Sequence, residues 1–278
     1  MSLLKKIKLF ILSCVVGAGV VGCNSNEELK AGIEDPVEIL KFAQNINVFE
    51  NTHSNITTNI KSILNNQQFD MSIVFDSLYS SEQQKNALTT TISIGGNEDK
   101  SSIYLAKEGD TPYRYINRDN NWTKEEVSLE EFNNVLISSS EPMYFDELIA
   151  VGNAFNVTES DSVYTLEGQV KVSDIEETLK YIGVLNMLST INLDLDDINK
   201  DINVNLKLDI EKGTGYLKSA NINVIDAVNE SVGKTIVNLI NLPLDSFKLE
   251  ITNFELDLKF EQSNNNNIEI PQEALDAK

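Results

Sequence analysis

The chain has 278 residues, a net charge of −21 at neutral pH, one histidine and two cysteines. Because Arg114 and Arg118 are its only arginines and acidic residues dominate, the chain lacks the basic surface that nucleic-acid binding needs. Beyond Cys14 and Cys23 no thiol is available for a disulfide, a metal site or a nucleophile.

The first 23 residues predict export and lipidation. Three lysines between positions 5 and 8 precede an apolar run from 9 to 21, which suits a secretory signal and is shorter than the ~20 residues of a spanning helix. The run ends in Val20-Val21-Gly22-Cys23, which resembles a bacterial lipobox. The resemblance implies that residues 1–22 form a lipoprotein signal peptide and that Cys23 carries the lipid (palmitate or another acyl chain), anchored at the extracytoplasmic face of the cell membrane. The alternative is an ordinary secretory signal with a chance cysteine.

Residues 23–34 are predicted to be a lipidated N-terminus and flexible stalk, because they are polar and show no periodicity. Asp35-Pro36-Val37-Glu38 then has the pattern of a helix start. Apolar residues spaced at i, i+3, i+4 and i+7 predict an amphipathic helix to about residue 46. These residues are Ile39, Phe42, Ala43 and Ile46.

Short runs of strand-forming residues follow the first helix. The predicted strands cover residues 55–64, 69–78, 88–94, 102–106 and 112–116. Ser128-Leu-Glu-Glu131 is a capping box that predicts a helix to about Leu136, and a second helix is expected from Tyr144 to Val151.

The segment 156–172 predicts a hairpin that turns at residues 159–162. Ser173-Asp-Ile-Glu176 is a further capping box, and its helix has an apolar stripe. The stripe consists of Ile175, Leu179, Ile182, Leu185 and Leu188. Strict alternation from Ile202 to Ile210 predicts an antiparallel strand with one dry face, and a second strand is expected over 216–224.

Residues 228–242 are apolar at helical spacing, at Val232, Ile236, Leu239 and Ile240. In the final strands the apolar positions change from odd to even numbers at Thr252-Asn253. A strand that keeps one face must therefore contain an extra residue there, so we expect a β-bulge or tight bend. Ile268-Glu-Ile-Pro271 is a possible last short edge strand.

Sequential strands without a βαβ rhythm predict an α+β fold with an antiparallel sheet. The order of the lipobox, the first helix, Asn121-Trp122-Thr-Lys124 and Ile268-Glu-Ile-Pro-x-x-Ala274 resembles the LolA/LppX-like lipoproteins and related low-GC Gram-positive lipoproteins of unassigned function. The resemblance implies that residues 35–278 form one domain. It would be a curved antiparallel sheet (half-barrel) with helices covering the concave face and a cavity for acyl chains.

The resulting hypothesis is a membrane-anchored lipoprotein that binds or carries a lipid or other hydrophobic ligand between sheet and helices. Candidate cavity-facing residues are Leu185, Leu188, Ile236, Leu239 and Ile240. The alternative is a non-catalytic structural or interaction lipoprotein with a filled core and a protein partner. Trp122 could cap the mouth of the cavity, but packing between the strands and the following helix is favoured.

Catalysis is not expected, and no cofactor is predicted. His53 is the only histidine and has no partner signature, so it is interpreted as an exposed residue. Four carboxylates could bind calcium, but they lack the central glycine and terminal glutamate of an EF-hand loop. They are Asp194, Asp196, Asp197 and Asp201. A solvated acidic helix end is the favoured interpretation, and no metal site is predicted.

Overall fold

The computed structural model describes residues 32–46, 50–64, 66–140, 143–181, 200–226, 249–262 and 267–277. The strands in these ranges are β1 (Asn51–Leu64), β2 (Gln67–Ser80), β3 (Lys85–Ile94), β4 (Asn97–Glu108), β5 (Thr111–Arg118), β6 (Asn121–Glu126), β7 (Phe155–Glu159), β8 (Val163–Lys171), β9 (Asn203–Glu211), β10 (Leu217–Asn223) and β11 (Leu249–Gln262). The α-helices are α1 (Pro36–Ile46), α2 (Leu129–Ser140), α3 (Phe145–Ala150), α4 (Glu176–Tyr181) and α5 (Gln272–Leu275). The predicted α+β class is confirmed.

The eleven described strands form one curved, open sheet in the order β6-β5-β4-β3-β2-β1-β11-β10-β9-β8-β7. Every neighbouring pair is antiparallel. The last strand in the sequence, β11, lies in the middle and joins β1 to β10. The sheet is therefore completed only when the C-terminal strand inserts between its two halves.

One face of the sheet is buried and the other is polar, as the alternation in β9 predicts. The apolar residues at even positions from Val204 to Ile210 are buried, whereas Asn203, Asn205 and Lys207 between them are exposed. Because successive side chains point to opposite faces, these strands alternate between core and solvent. We call the face that carries Val204 to Ile210 the inner face and the opposite one the outer face.

The predicted bulge in β11 is confirmed. Lys61 of β1 faces Asn253 and Ser62 faces Ile251, so Thr252 is the extra residue. The Thr252 hydroxyl donates to the Lys61 carbonyl oxygen at 3.3 Å. The bulge lets both Ile251 and Phe254 reach the inner face, where both are buried.

Helices α1 to α4 pack on the inner face. Ile39 and Leu40 of α1 and Leu148 of α3 are fully buried in one core with the strands on the β7 side of the sheet, and Leu179 of α4 joins them. Phe132 of α2 packs in a second core nearer the β6 edge. Helix α5 packs instead with the residues of the outer face, against β5 and β6.

Two of the three predicted helix caps are confirmed. The Val37 amide donates to Asp35 Oδ1 at 2.9 Å, and the Glu131 amide donates to Ser128 Oγ at 3.0 Å. The prediction of a capping box at Ser173 is wrong, because Ser173 lies within a 3₁₀ turn that covers Val172–Asp174. The first turn of α4 is capped by a residue of α3, because the Glu147 carboxylate accepts from the amides of Glu177 and Thr178 at 3.1 and 2.8 Å.

The prediction of an edge strand at Ile268–Pro271 is wrong. Residues 267–271 have no regular structure and lead into α5. The Ile268 amide donates to the side chain of Gln83, and its carbonyl accepts from Lys85. Both backbone groups of Ile268 are thus used by side chains from the β2–β3 turn and from the first residue of β3, and Pro271 has no amide to donate to a ladder.

Candidate ligand site on the inner face of the sheet

Two packed regions cover the inner face of β1 to β5, and they are separated from each other along the direction of the strands. On one side, α2 lies across the sheet: Phe132 and Leu136 pack with Tyr79 and Leu105. A hydrogen bond also joins α2 to the sheet, because the Asn86 side chain of β3 donates to Ser139 Oγ of α2 at 2.9 Å. On the other side, Ile73 and Ile92 belong to the main core, together with residues of α1 and α3.

Between these regions two rows of side chains cross the sheet from β1 to β5, and we call them the central strip. The register places the members of each row side by side on neighbouring strands. The first row consists of Ser54, Ser77, Leu88, Ile103 and Ile116, and the second of Ile56, Phe75, Thr90, Ser101 and Arg118. Four strand spacings of ~4.8 Å give the strip a length of about 19 Å.

The central strip is only partly covered. Thr90 and Ile116 are buried, but the other members are half-buried, including four large apolar residues. These four are Ile56, Phe75, Leu88 and Ile103. Together with Ile116 they form a diagonal apolar path across five strands, with small hydroxyl side chains beside it. Apolar side chains that face the interior but remain partly accessible are typical of a ligand-binding surface.

A buried hydroxyl lies beside the apolar path. Thr58 is 1% exposed and follows Ile56 on the same face of β1. Its Oγ1 has no hydrogen-bond partner among the described residues. An unsatisfied hydroxyl in an apolar region costs roughly 1–3 kcal/mol. Thr58 therefore offers an unused polar group next to the strip.

The two arginines lie on the inner face of β5 and have different surroundings. Arg114 donates to Glu125 Oε1 of β6 at 2.5 Å and to Glu131 Oε1 of α2 at 2.7 Å. This network fastens α2 to the edge of the sheet. Arg118, four residues later, is half-buried, and its side chain makes no ion pair or hydrogen bond with any residue in the described part of the chain.

The outer face of β4 to β6 is covered by the C-terminal segment. Ala106, Tyr115 and Ala274 are buried together, and Trp122 and Leu275 pack against them. The Tyr104 and Trp122 rings are 5.9 Å apart. Trp122 is thus a packing residue. Among the described residues it packs with this cluster of β4, β5 and α5, whereas the sequence favoured packing against the following helix α2. It lies on the face opposite to the central strip.

Hydrogen bonds hold Glu108 in the outer-face cluster. The Tyr115 hydroxyl donates to Glu108 Oε1 at 2.8 Å, and Lys124 Nζ donates to both carboxylate oxygens at 2.8 Å. The hydrogen bond from Lys124, followed by that from Tyr115, lowers the pKa of Glu108. Burial raises the pKa of Tyr115, and its hydrogen bond to Glu108 adds to the effect.

His53 has acidic neighbours that its sequence context does not indicate. It lies on the outer face of β1, with Nε2 3.1 Å from Asp76 Oδ2 and Nδ1 3.8 Å from Glu261 Oε2. The neighbouring strands β2 and β11 supply these carboxylates, so only the register reveals them. In the described part of the chain its hydrogen bond goes to a carboxylate and not to a nucleophilic hydroxyl.

The residues that the sequence proposed for a site lie outside the described ranges. They are Cys23, Leu185, Leu188, Ile236, Leu239 and Ile240, and Asp194, Asp196 and Asp197 are outside as well. Asp201 is described and exposed. The described residues contain no group of three or more histidine, cysteine or acidic side chains placed to bind a metal. Nor do they contain a helix with the length and hydropathy needed to cross a bilayer.

The end of the predicted stalk is held against the sheet. The Gly32 amide donates to Glu159 Oε1 at 3.4 Å, and the Ile33 amide donates to Tyr164 Oη at 3.3 Å. Lys212 forms an ion pair with the same glutamate. The chain therefore enters the domain beside the β7–β8 turn.

No family model and no curated protein matches this chain. Among solved structures, a β-barrel-like protein of the domain of unknown function DUF1849 from Brucella abortus is similar at 6% identity, over 77% of this chain and 97% of that one, with a TM-score of 0.23. A DUF1329 family protein from Desulfovibrio piger ATCC 29098 is similar at 7% identity, over 81% and 90%, with a TM-score of 0.21. Superpositions this loose support no inference about function, and the LolA/LppX resemblance remains a prediction from the sequence.

Proposed function

We propose that this protein is a lipid-anchored binding protein that holds a hydrophobic molecule against the central strip. The observation that carries the proposal is the half-buried apolar path from Ile56 and Phe75, at the margin of the main core, to Ile103. By contrast, Ile73 and Ile92 in the adjacent row of the same sheet are buried.

Burial of an acyl chain would supply the affinity without catalysis. Each methylene that leaves water contributes about 0.8 kcal/mol, so a long chain along the strip binds through apolar contact alone. The strip length of about 19 Å is comparable to that of an extended long acyl chain. An anchor on Cys23 would keep the domain at the membrane, from which such a molecule is drawn.

Native mass spectrometry of the chain from residue 23 onward, carrying Cys23→Ser, tests the proposal. We expect a co-purifying lipid at near one-to-one occupancy, or uptake of a long-chain fatty alcohol added to the stripped protein. An apo mass that is unchanged by fatty acids, alcohols and phospholipids would contradict the proposal. It would favour the alternative, an interaction protein with a filled core.

A pair of variants on adjacent residues makes the test specific to the strip. Phe75 faces the inner side of β2, and Val74 is its neighbour on the outer face. We expect Phe75→Asn to lower ligand occupancy and Val74→Asn to leave it unchanged. Equal occupancy in the two variants would place the ligand elsewhere.

A further inference from the structure

Arg118 stands at the β5 end of the central strip. It shares the inner face with Ile116, two residues earlier on β5, because alternate residues of a strand point to the same side. Across the ladder it faces Ser101 of β4, and Thr90 of β3 follows in the same row. A guanidinium and two hydroxyl side chains thus lie next to the apolar path.

The Arg118 guanidinium forms no ion pair with the described residues. Arg114, the other arginine, binds two carboxylates with its one guanidinium. Arg118 has no such partner in the described ranges, although acidic residues outnumber basic ones by 43 to 22.

A half-buried arginine whose side chain pairs with no described carboxylate is suited to bind an anion. The planar guanidinium donates paired hydrogen bonds to a carboxylate or a phosphate, and partial burial strengthens these bonds. Hydroxyl groups such as those of Thr90 and Ser101 add donors to the same anion. Here the site for the anion and the apolar path are continuous.

We propose that the ligand is an anionic amphiphile whose carboxylate or phosphate binds Arg118 while its apolar chain lies on Ile116, Ile103, Leu88, Phe75 and Ile56. This inference rests on the proposed function and extends it from hydrophobic ligands in general to those with an acidic head group. Neutral molecules of equal chain length would bind the strip but gain nothing from Arg118.

Three probes with the same oleyl or oleoyl chain test the inference: oleate, oleyl phosphate and oleyl alcohol. Binding to the chain from residue 23 onward, with Cys23→Ser, is measured by calorimetry for the parent and for Arg118→Gln. We expect Arg118→Gln to raise the Kd of an anionic probe about 10-fold to 100-fold, which corresponds to the loss of one hydrogen bond to a charged group. The Kd of oleyl alcohol should change by no more than about 2-fold. The preferred anion, oleate or oleyl phosphate, identifies the head group.

Lys100→Gln is the matched control. Lys100 is an exposed cation on the outer face of β4, one residue from Ser101, so its removal changes the net charge equally without touching the strip. We expect parent-like affinity for all three probes. Arg118→Lys should retain part of the anion preference, because the charge remains but the paired geometry is lost.

Two results would overturn this inference without affecting the proposed function. One is that Arg118→Gln binds oleate and oleyl phosphate as tightly as the parent does. The other is that Arg118→Gln loses affinity equally for all three probes, which would indicate a structural role for Arg118. If the parent bound none of the probes, the proposed function would fall and this inference with it. The oleyl alcohol arm separates the two cases, since it depends on the strip and not on Arg118.

Discussion

At the scale of single residues, hydrogen bonds lower the pKa of three glutamates on the acidic surface of this protein. Glu108, Glu159 and Glu211 have lowered pKa values because Lys124, Lys212 and Thr214, respectively, donate hydrogen bonds to them. Each of these carboxylates lies at a strand end. Lys124 and Lys212 reach Glu108 and Glu159 from two strands away in the sheet, and Thr214 lies in the turn that follows β9. The two pairs with lysine therefore offset part of the repulsion that a net charge of −21 imposes.

At this scale we predict that the Glu108 interaction is lost in acid. A carboxylate whose folded pKa lies below the unfolded value of about 4.3 adds stability above that value, and the contribution disappears as the pH falls through the folded pKa. Urea unfolding of the parent and Glu108→Gln should show the largest difference at pH 7, with progressive convergence from pH ~5 to pH ~3.

Glu126→Gln is the control for this measurement. Glu126 is exposed at the end of the same strand as Lys124 and makes no ion pair with the residues that the structure describes. Its unfolding curves should follow those of the parent at every pH. A difference between parent and Glu108→Gln that is constant or grows toward acid would refute the assignment.

At the scale of elements, β11 decides how the two halves of the sheet join. It pairs with β1 on one side and with β10 on the other, and its inner residues Phe254, Leu256 and Leu258 are buried. The extra residue Thr252 keeps both ends of the strand in phase with the core. The bulge thus lets β11 keep one buried face although its apolar positions change from odd to even numbers.

Two single-residue deletions in β11 should differ sharply. Deletion of Thr252 removes the bulge but leaves Ile251 facing Ser62, so we expect a loss of about 1 kcal/mol or less. Deletion of Asp257 turns Phe254 and Leu256 to the outer face, at about 1.5–3 kcal/mol for each side chain, which would unfold a marginally stable domain. Urea denaturation followed by circular dichroism measures both.

The Asp257→Ala substitution serves as the control for the second deletion. It removes the same outer-face carboxylate, which accepts from Asn221 at 2.6 Å, without changing the register. We expect it to fold. A deletion at Thr252 as damaging as that at Asp257 would show that the bulge itself, and not the phase of the strand, stabilises β11.

At the scale of the whole molecule, the domain combines a polar outer face with an inner face that is covered unevenly. Helices α1, α3 and α4 pack on the β7 side of the sheet, and α2 packs on the β6 side. The central strip lies where these coverings leave the sheet partly accessible. The chain enters beside the β7–β8 turn, so a lipid on Cys23 would tether the domain from that end.

The anchor itself is tested by replacing the two cysteines separately. In a bacterial host fed with labelled palmitate, we expect the parent and Cys14→Ala to incorporate label and to sediment with membranes. Cys23→Ala should lose the label and leave the membrane fraction, because the acyl chains provide the attachment. Label or membrane association that persists in Cys23→Ala would contradict the lipobox prediction.

The sequence by itself determined the local structure, because local structure depends on neighbours within a few residues. The 3.6-residue period placed α1, and the alternation in β9 assigned its dry face. The parity change at Thr252 located a bulge, since a strand has only two faces. Capping at Asp35 and Ser128 was likewise a property of adjacent residues.

Only the tertiary structure decided which distant residues meet. Glu147 caps α4 in place of Ser173, and the C-terminal segment covers Trp122 on the outer face instead of extending the sheet. The central strip and the contrast between Arg114 and Arg118 arise from the register of five strands. Periodicity tells which side of a strand is apolar, but what covers that side is set by long-range packing, which no local pattern contains.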